Sequence, residues 1–162
     1  MRPTRSYDVY IDGASRGNPG PAGVGAVFVD GQRIVRQFGR PLGQTTNNVA
    51  EYLALIYALQ EALRAGYRQL TVKTDSELLA RQMAGRYRVR DEQLRVLHEV
   101  ARHLVEGFTR CEIRHIPREE NTAADRLAGQ AAREALRSSG GERQSARATS
   151  DRGGIEQTLF GM

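Results

Sequence analysis

Between Ser6 and Arg40 the apolar residues come in short runs. Ser6–Ile11 is rich in β-formers, Val24–Val29 is apolar apart from Gly25, and Arg33–Arg40 alternates after the turn pair Asp30-Gly31. These runs predict three strands linked by hairpins. The period then changes. From Asn48 to Ala65, Val49, Ala50, Leu53, Ala54, Ile56, Tyr57, Leu59, Ala62 and Leu63 cover nearly all sides of a helix, and Gly66 ends it. Such a helix is buried on most sides. The remaining pattern predicts a strand at Leu70–Lys73 and a short helix at Ser76–Met83, ending near Gly85. An amphipathic helix at Asp91–Val105, ending near Gly107, a strand at Cys111–His115 and a last helix at Asn121–Leu136 follow. Strands first, then alternating helix and strand, predict an α/β fold with a mixed sheet of about five strands.

The chain changes character after residue 137. Residues 138–154, SSGGERQSARATSDRGG, hold four Ser, four Gly and only Ala146 and Ala148 as apolar side chains. They are expected to form a flexible linker. A short apolar tail, 155–162, follows, which leaves 1–137 as the folded domain.

The 162 residues, 40% of them apolar, suffice for one packed core. No run approaches the roughly 18 apolar residues of a membrane helix, and Met1–Arg5 precedes no apolar leader segment. A soluble, cytoplasmic protein without a membrane partner is expected. Its one cysteine, Cys111, excludes an internal disulfide framework and a cysteine-built zinc site. The net charge is +5, and Lys73 is the only lysine among 24 cations. Arginine pairs with phosphate through two parallel hydrogen bonds, which suits a nucleic-acid partner. A G+C-rich genome would raise Arg, Ala and Gly together with the same result, so charge alone decides little.

Four acids fall at element boundaries. Asp12 ends the first strand, Glu51 lies in the first turn of the buried helix, Asp75 follows the fourth strand, and Asp125 lies in the first turn of the last helix. Taken singly, each has a structural explanation: a turn at Asp12-Gly13, a capping box from Asn48 to Glu51, a cap at Asp75, a dipole partner at Asp125. Together they gather where strand ends meet helix starts on one side of the sheet. Four such carboxylates repel one another, and two Mg²⁺ ions, or Mn²⁺ in their place, would offset that charge with the hard oxygen ligands these ions prefer. Paired ions about 3.5–4 Å apart activate water and stabilise the leaving oxygen in phosphodiester hydrolysis. The four asparagines of the chain, Asn18, Asn47, Asn48 and Asn121, all stand beside these acids. Asn48 and Asn121 read as helix caps, and an amide can also read a base edge or a ribose hydroxyl. The Asp12–Gly20 loop matches neither a Walker loop nor G-x-G-x-x-G.

The stretches YIDGASRGNPGPAGVG, TTNNVAEYLAL, VKTDSELL and HIPREENTAADRLA resemble the four sequence blocks of the type 1 ribonuclease H family, in that family's order and across residues 6–137. The resemblance implies a ribonuclease H-like fold, a five-stranded mixed sheet with helices on both faces. It also implies endonucleolytic cleavage of the RNA strand of RNA–DNA hybrids, leaving 5′-phosphate and 3′-hydroxyl ends. Asp12, Glu51, Asp75 and Asp125 match the family's metal-binding carboxylates. Asn18, Thr46, Asn47 and Asn48 match positions that contact the hybrid's minor groove or phosphates. His115, ten residues before Asp125, and Arg118 share an auxiliary catalytic role. Met83–Asp91 resembles the short form of the family, without an inserted helix and basic loop; Arg86, Arg88 and Arg90 would present cations on one face of an extended segment. Two alternatives stay open: a hybrid-binding module without catalysis, and a related nuclease acting on other duplexes. In the tail, Gln157, Leu159 and Phe160 loosely resemble peptides that bind replication sliding clamps, with the Gln-to-Leu spacing one residue short.

Overall fold

Alternating β-formers at Ser6–Ser15 make β1, the middle strand of a five-stranded sheet. The computed structural model describes residues 5–152, and side chains as far as residue 140. β2 (Gly20–Asp30) and β3 (Arg33–Thr45) follow as antiparallel neighbours, while β4 (Gln69–Thr74) and β5 (Arg110–His115) run parallel to β1 on its other side. The strand order is β3-β2-β1-β4-β5. Between and after these strands come α1 (Asn47–Arg64), α2 (Glu77–Met83), α3 (Glu92–Val105), a single 3₁₀ turn at Arg118–Glu120, and α4 (Thr122–Arg152). The mixed five-stranded sheet with helices on both faces is the architecture expected from the sequence.

Period two along β1 divides its side chains between the faces. Val9 and Ile11 join Val24 and Phe28 of β2 and Leu55 and Leu59 of α1 in the core between the sheet and α1, with α3 packed on α1. The opposite face carries α4, which lays Ala124, Ala128, Ala131 and Ala132 on β2. Parallel pairing of β1, β4 and β5 ends in one row: Ile11 opposes Thr74, and Thr74 opposes His115. Asp12 and Asp75 are the next residues along. They therefore stand where the parallel pairing of β1 with β4 ends, the side on which α/β sheets open a crevice for ligands.

The elements differ from expectation at several ends. β1 continues through Asp12 to Ser15, with Asp12 opposite Gly25, so Asp12-Gly13 is strand and not a turn. Small residues on both sides of that pairing let the ladder continue. α1 is capped by Thr46, whose hydroxyl accepts from the Val49 N–H at 3.3 Å, and not by Asn48. Ser76, not Asp75, caps α2. Asp75 is thereby left available for chemistry. The segment expected as a linker continues α4 to Arg152. No proline follows Pro117 to stop it, and the Ser138 and Ser139 hydroxyls turn back onto the Glu134 and Leu136 carbonyls. Gly140 and Gly141 each weaken a helix by about 1 kcal/mol without forbidding it. The tail with Gln157, Leu159 and Phe160 lies outside the described residues. Among those described, no helix is long and apolar enough to cross a membrane.

Candidate active site

Two close backbone approaches bring the acids together. A Cβ on Gly13 would lie 2.3 Å from the Ala50 carbonyl carbon, so only glycine lets the first turn of α1 rest directly on β1. That contact sets Glu51 beside Asp12. A Cβ on Gly25 would lie 2.5 Å from the Ala124 carbonyl oxygen, and here glycine lets α4 descend onto the strand opposite Asp12. Asp125, one residue further, consequently faces the same cleft.

Asp12, Glu51 and Asp75 each offer an oxygen within 4.8 Å of the others. Asp12 is 5% exposed and Glu51 7% exposed. Asp125 and Arg118 line the same cleft of about 370 Å³ from its open side, with Arg118 Nη2 4.0 Å from Asp125 Oδ1. The four acids thus form a buried pair, Asp12 and Glu51, a half-buried Asp75 and, at the rim, Asp125. Burial pushes the Asp12 carboxyl well above the usual carboxylate range, and the charges of Glu51 and Asp75 push it further. Burial also raises Glu51, against the hydrogen bonds that it receives from Asp12 and the Gly13 backbone. Glu51 Oε2 is buried with no hydrogen-bond partner among the described residues. Hard oxygen donors, excess negative charge and an unpartnered buried carboxylate oxygen fit a divalent cation such as Mg²⁺.

The asparagines divide into two groups. Asn18 Oδ1 accepts from the Asn47 backbone N–H at 3.1 Å, and the Ser15 hydroxyl donates to the Thr45 carbonyl at 2.9 Å. These bonds pin the glycine-rich loop against the start of α1. Asn18, Asn47 and Asn48 are exposed there, around a helix N-terminus that favours anions, and Asn47 also lines the acid cleft. Thr46 is spent on the cap.

Asn121 is different, and sequence reasoning missed its place. It is 1% exposed and its side chain does not cap α4. Nδ2 donates to the Ile11 carbonyl at 2.8 Å and to Asp75 Oδ1 at 3.1 Å. Hydropathy carries no trace of this; the only cue was its position one turn before Asp125.

His115 stands apart from the acids. It ends β5, two strands from β1 and so about 10 Å across the sheet. Its side chain lines a separate groove with Glu77, Arg81 and Arg86. A larger groove of about 480 Å³ around Cys111, between α2, α3 and β5, gathers no comparable set of acids.

Residues 10–131 match the family described as Reverse transcriptase-like. Ribonuclease HI of Halobacterium salinarum is 46% identical over 123 residues, which is 75% of this chain and 62% of that protein. The bifunctional protein Rv2228c of Mycobacterium tuberculosis is 42% identical over 125 residues, 76% of this chain and 34% of that protein. The chain thus spans less than two thirds of the length of these curated relatives. Among solved structures, the N-terminal RNase H domain of Rv2228c shares 40% identity at a TM-score of 0.80, covering 84% of this chain and 99% of that one. RNase H1 of Halobacterium salinarum shares 44% identity at a TM-score of 0.77, covering 80% and 98%. LC11-RNase H1 in complex with an RNA/DNA hybrid shares 39% at 0.76, covering 80% and 99%. The match over residues 10–131, together with an acid cluster on a sheet that superimposes on these proteins, places the chain in the reverse transcriptase-like family, among the type 1 ribonucleases H.

Proposed function

We propose that the protein is a cytoplasmic endonuclease that hydrolyses the RNA strand of RNA–DNA hybrids, leaving 5′-phosphate and 3′-hydroxyl ends, with two Mg²⁺ ions as cofactor. The observation that carries this reading is the convergence of Asp12, Glu51 and Asp75 oxygens within 4.8 Å in a cleft open to solvent. Mg²⁺, or Mn²⁺ in its place, would supply activation of the attacking water and charge stabilisation of the leaving 3′ oxygen. Asp12, Glu51 and Asp75 would hold it, and Asp125 would complete the set from the rim.

The substrate lies across that rim. Asn18, Asn47 and Asn48 offer amides beside the N-terminus of α1, a surface suited to phosphate oxygens and ribose hydroxyls. The 2′-hydroxyls in a wide, shallow minor groove distinguish the RNA strand from DNA. The hybrid held by LC11-RNase H1, a relative of the same fold, supports this substrate class. Binding of a sliding clamp through Gln157, Leu159 and Phe160 rests on the tail sequence alone. A binding module without catalysis would have no use for a mutually repelling acid trio with two buried members.

A panel of matched RNA–DNA, RNA–RNA and DNA–DNA duplexes, incubated with Mg²⁺ or chelator, tests the proposal. Cleavage confined to the RNA strand of the hybrid, and abolished by chelator, is expected. Binding without cleavage would favour the module, and cleavage of a different duplex would favour a related nuclease.

Arg118 is the better placed of the two auxiliary residues, because it lines the acid cleft and His115 does not. A charged hydrogen bond is worth roughly 1.5 kcal/mol or more, about a tenfold change in rate. Arg118→Ala is therefore expected to lower kcat about tenfold, with His115→Ala within about threefold of wild type, in single-turnover cleavage. The opposite ranking would return the role to His115.

A further inference from the structure

The side chain of Asn121 bonds one acid, Asp75, and the peptide that leads into a second, Asp12, while its backbone carbonyl holds the turn of Asp125. The β1–β4 ladder ends at the Ile11–Thr74 pair, so the Ile11 carbonyl has no further strand partner on that side. Asn121 Nδ2 takes its place at 2.8 Å, holding the peptide that leads directly into Asp12. The second hydrogen of the same NH₂ group reaches Asp75 Oδ1 at 3.1 Å. The Asn121 carbonyl accepts the Asp125 N–H at 3.0 Å, which fixes the turn that carries the fourth acid. Neither capping nor core packing explains a polar side chain 1% exposed, with Oδ1 lacking a hydrogen-bond partner among the described residues.

We infer that Asn121 is a positioning residue for the metal site: its amide clamps β1 at Ile11, where the parallel ladder ends, to the Asp75 carboxylate and sets the spacing between Asp12 and Asp75. This inference rests on the acid trio being the metal site proposed above. The fork leaves Asp75 Oδ2 free to serve as a ligand while Oδ1 is engaged by a donor. Partners of this kind, one bond removed from a metal, typically change metal affinity or activity about 10–100-fold when lost.

The test compares wild type, Asn121→Ala and Asn121→Ser with Leu59→Ala, a core truncation three turns along α1 from Thr46 that lowers stability without approaching the cleft. Serine is too short to span both acceptors and stands in for the alanine variant should that one fail to fold. The readouts are the Mg²⁺-induced rise in melting temperature, which reports affinity without turnover, and kcat and KM for hybrid at saturating Mg²⁺. Both Asn121 variants are expected to need about tenfold more Mg²⁺ for the same rise in melting temperature, and to lose kcat about tenfold with KM for the hybrid unchanged. Leu59→Ala should melt lower yet respond to Mg²⁺ as wild type does. A wild-type Mg²⁺ response and kcat in the Asn121 variants would overturn the inference and leave the amide a purely structural bond. If wild type binds Mg²⁺ but cleaves no hybrid, the proposed activity fails, and the Mg²⁺ response alone still decides the role of Asn121.

Discussion

Asp12→Asn is expected to stop hybrid cleavage and, in the absence of metal, to make the protein more stable than wild type. Both effects have one origin. Asp12 is buried between Glu51 and Asp75, so its charge is costly in the folded protein and is held there for the sake of a cation. Replacing it by the isosteric amide removes the cost of either ionising that carboxyl or holding a proton on it, without leaving a cavity. The gain in metal-free stability is on the order of 2 kcal/mol, several degrees in melting temperature for a domain of this size. Loss of one metal ligand removes several kcal/mol of transition-state stabilisation, a rate loss of about 10³-fold or more. Calorimetric melting in chelator and single-turnover cleavage in Mg²⁺ measure the two sides. A dead variant that melts lower than wild type would mean that Asp12 stabilises the fold, contrary to the assignment of a repulsive cluster.

The second large effect is a dependence of stability on pH that Mg²⁺ removes. Asp12 and Glu51 hold their protons in the folded chain to pH values well above their ordinary 3.8 and 4.5, chiefly because of burial. The unfolded chain releases those protons near the ordinary values. Above about pH 4 the folded state therefore binds more protons than the unfolded one, and stability falls as pH rises, through neutrality, until the folded carboxyls also ionise. The slope is about 1.4 kcal/mol per pH unit for each proton the cluster retains. Bound Mg²⁺ takes the place of the proton, so the slope is expected to flatten in its presence. Urea midpoints at several pH values, with Mg²⁺ and with chelator, give the comparison. Equal slopes in the two series would show that the buried acids do not titrate as a metal site.

Much of the fold was legible because hydropathy is strongly periodic where elements are buried. The run from Val49 to Leu63 marked α1, and the acid at Asp91 marked the start of α3, which it caps through the Leu94 N–H at 2.9 Å. Strand ends were less legible. Nothing local in Asp12-Gly13-Ala14-Ser15 separates a turn from a strand; the choice is made by Gly25, Val24, Gly23 and Ala22 across the ladder. Gly13 reads as a turn residue and Gly25 as a gap in a strand, yet both are strand residues whose missing side chains admit a helix. The α4 extension was hidden for a different reason, since composition measures the ability to build a core and not the ability of a helix to continue past one.

The acids themselves were found from their place at element ends, because a crevice at the ends of parallel strands is a property of topology. What sequence could not rank was their burial. Asp12 and Glu51 are enclosed while Asp125 is half-exposed beside Arg118, a difference set by how closely α1 and α4 approach the sheet. Nor could spacing separate His115 from Arg118: the two are three residues apart at the end of β5, but the histidine lines a separate groove two strands from β1 while Arg118 lines the acid cleft.

The most direct test of the account is the location of the metal. Crystals of the protein grown with Mn²⁺ and an uncleavable RNA–DNA hybrid, measured for anomalous scattering, should show ions bound by carboxylate oxygens of Asp12, Glu51 and Asp75. Ions bound elsewhere, or a hybrid seated away from that cleft, would contradict it.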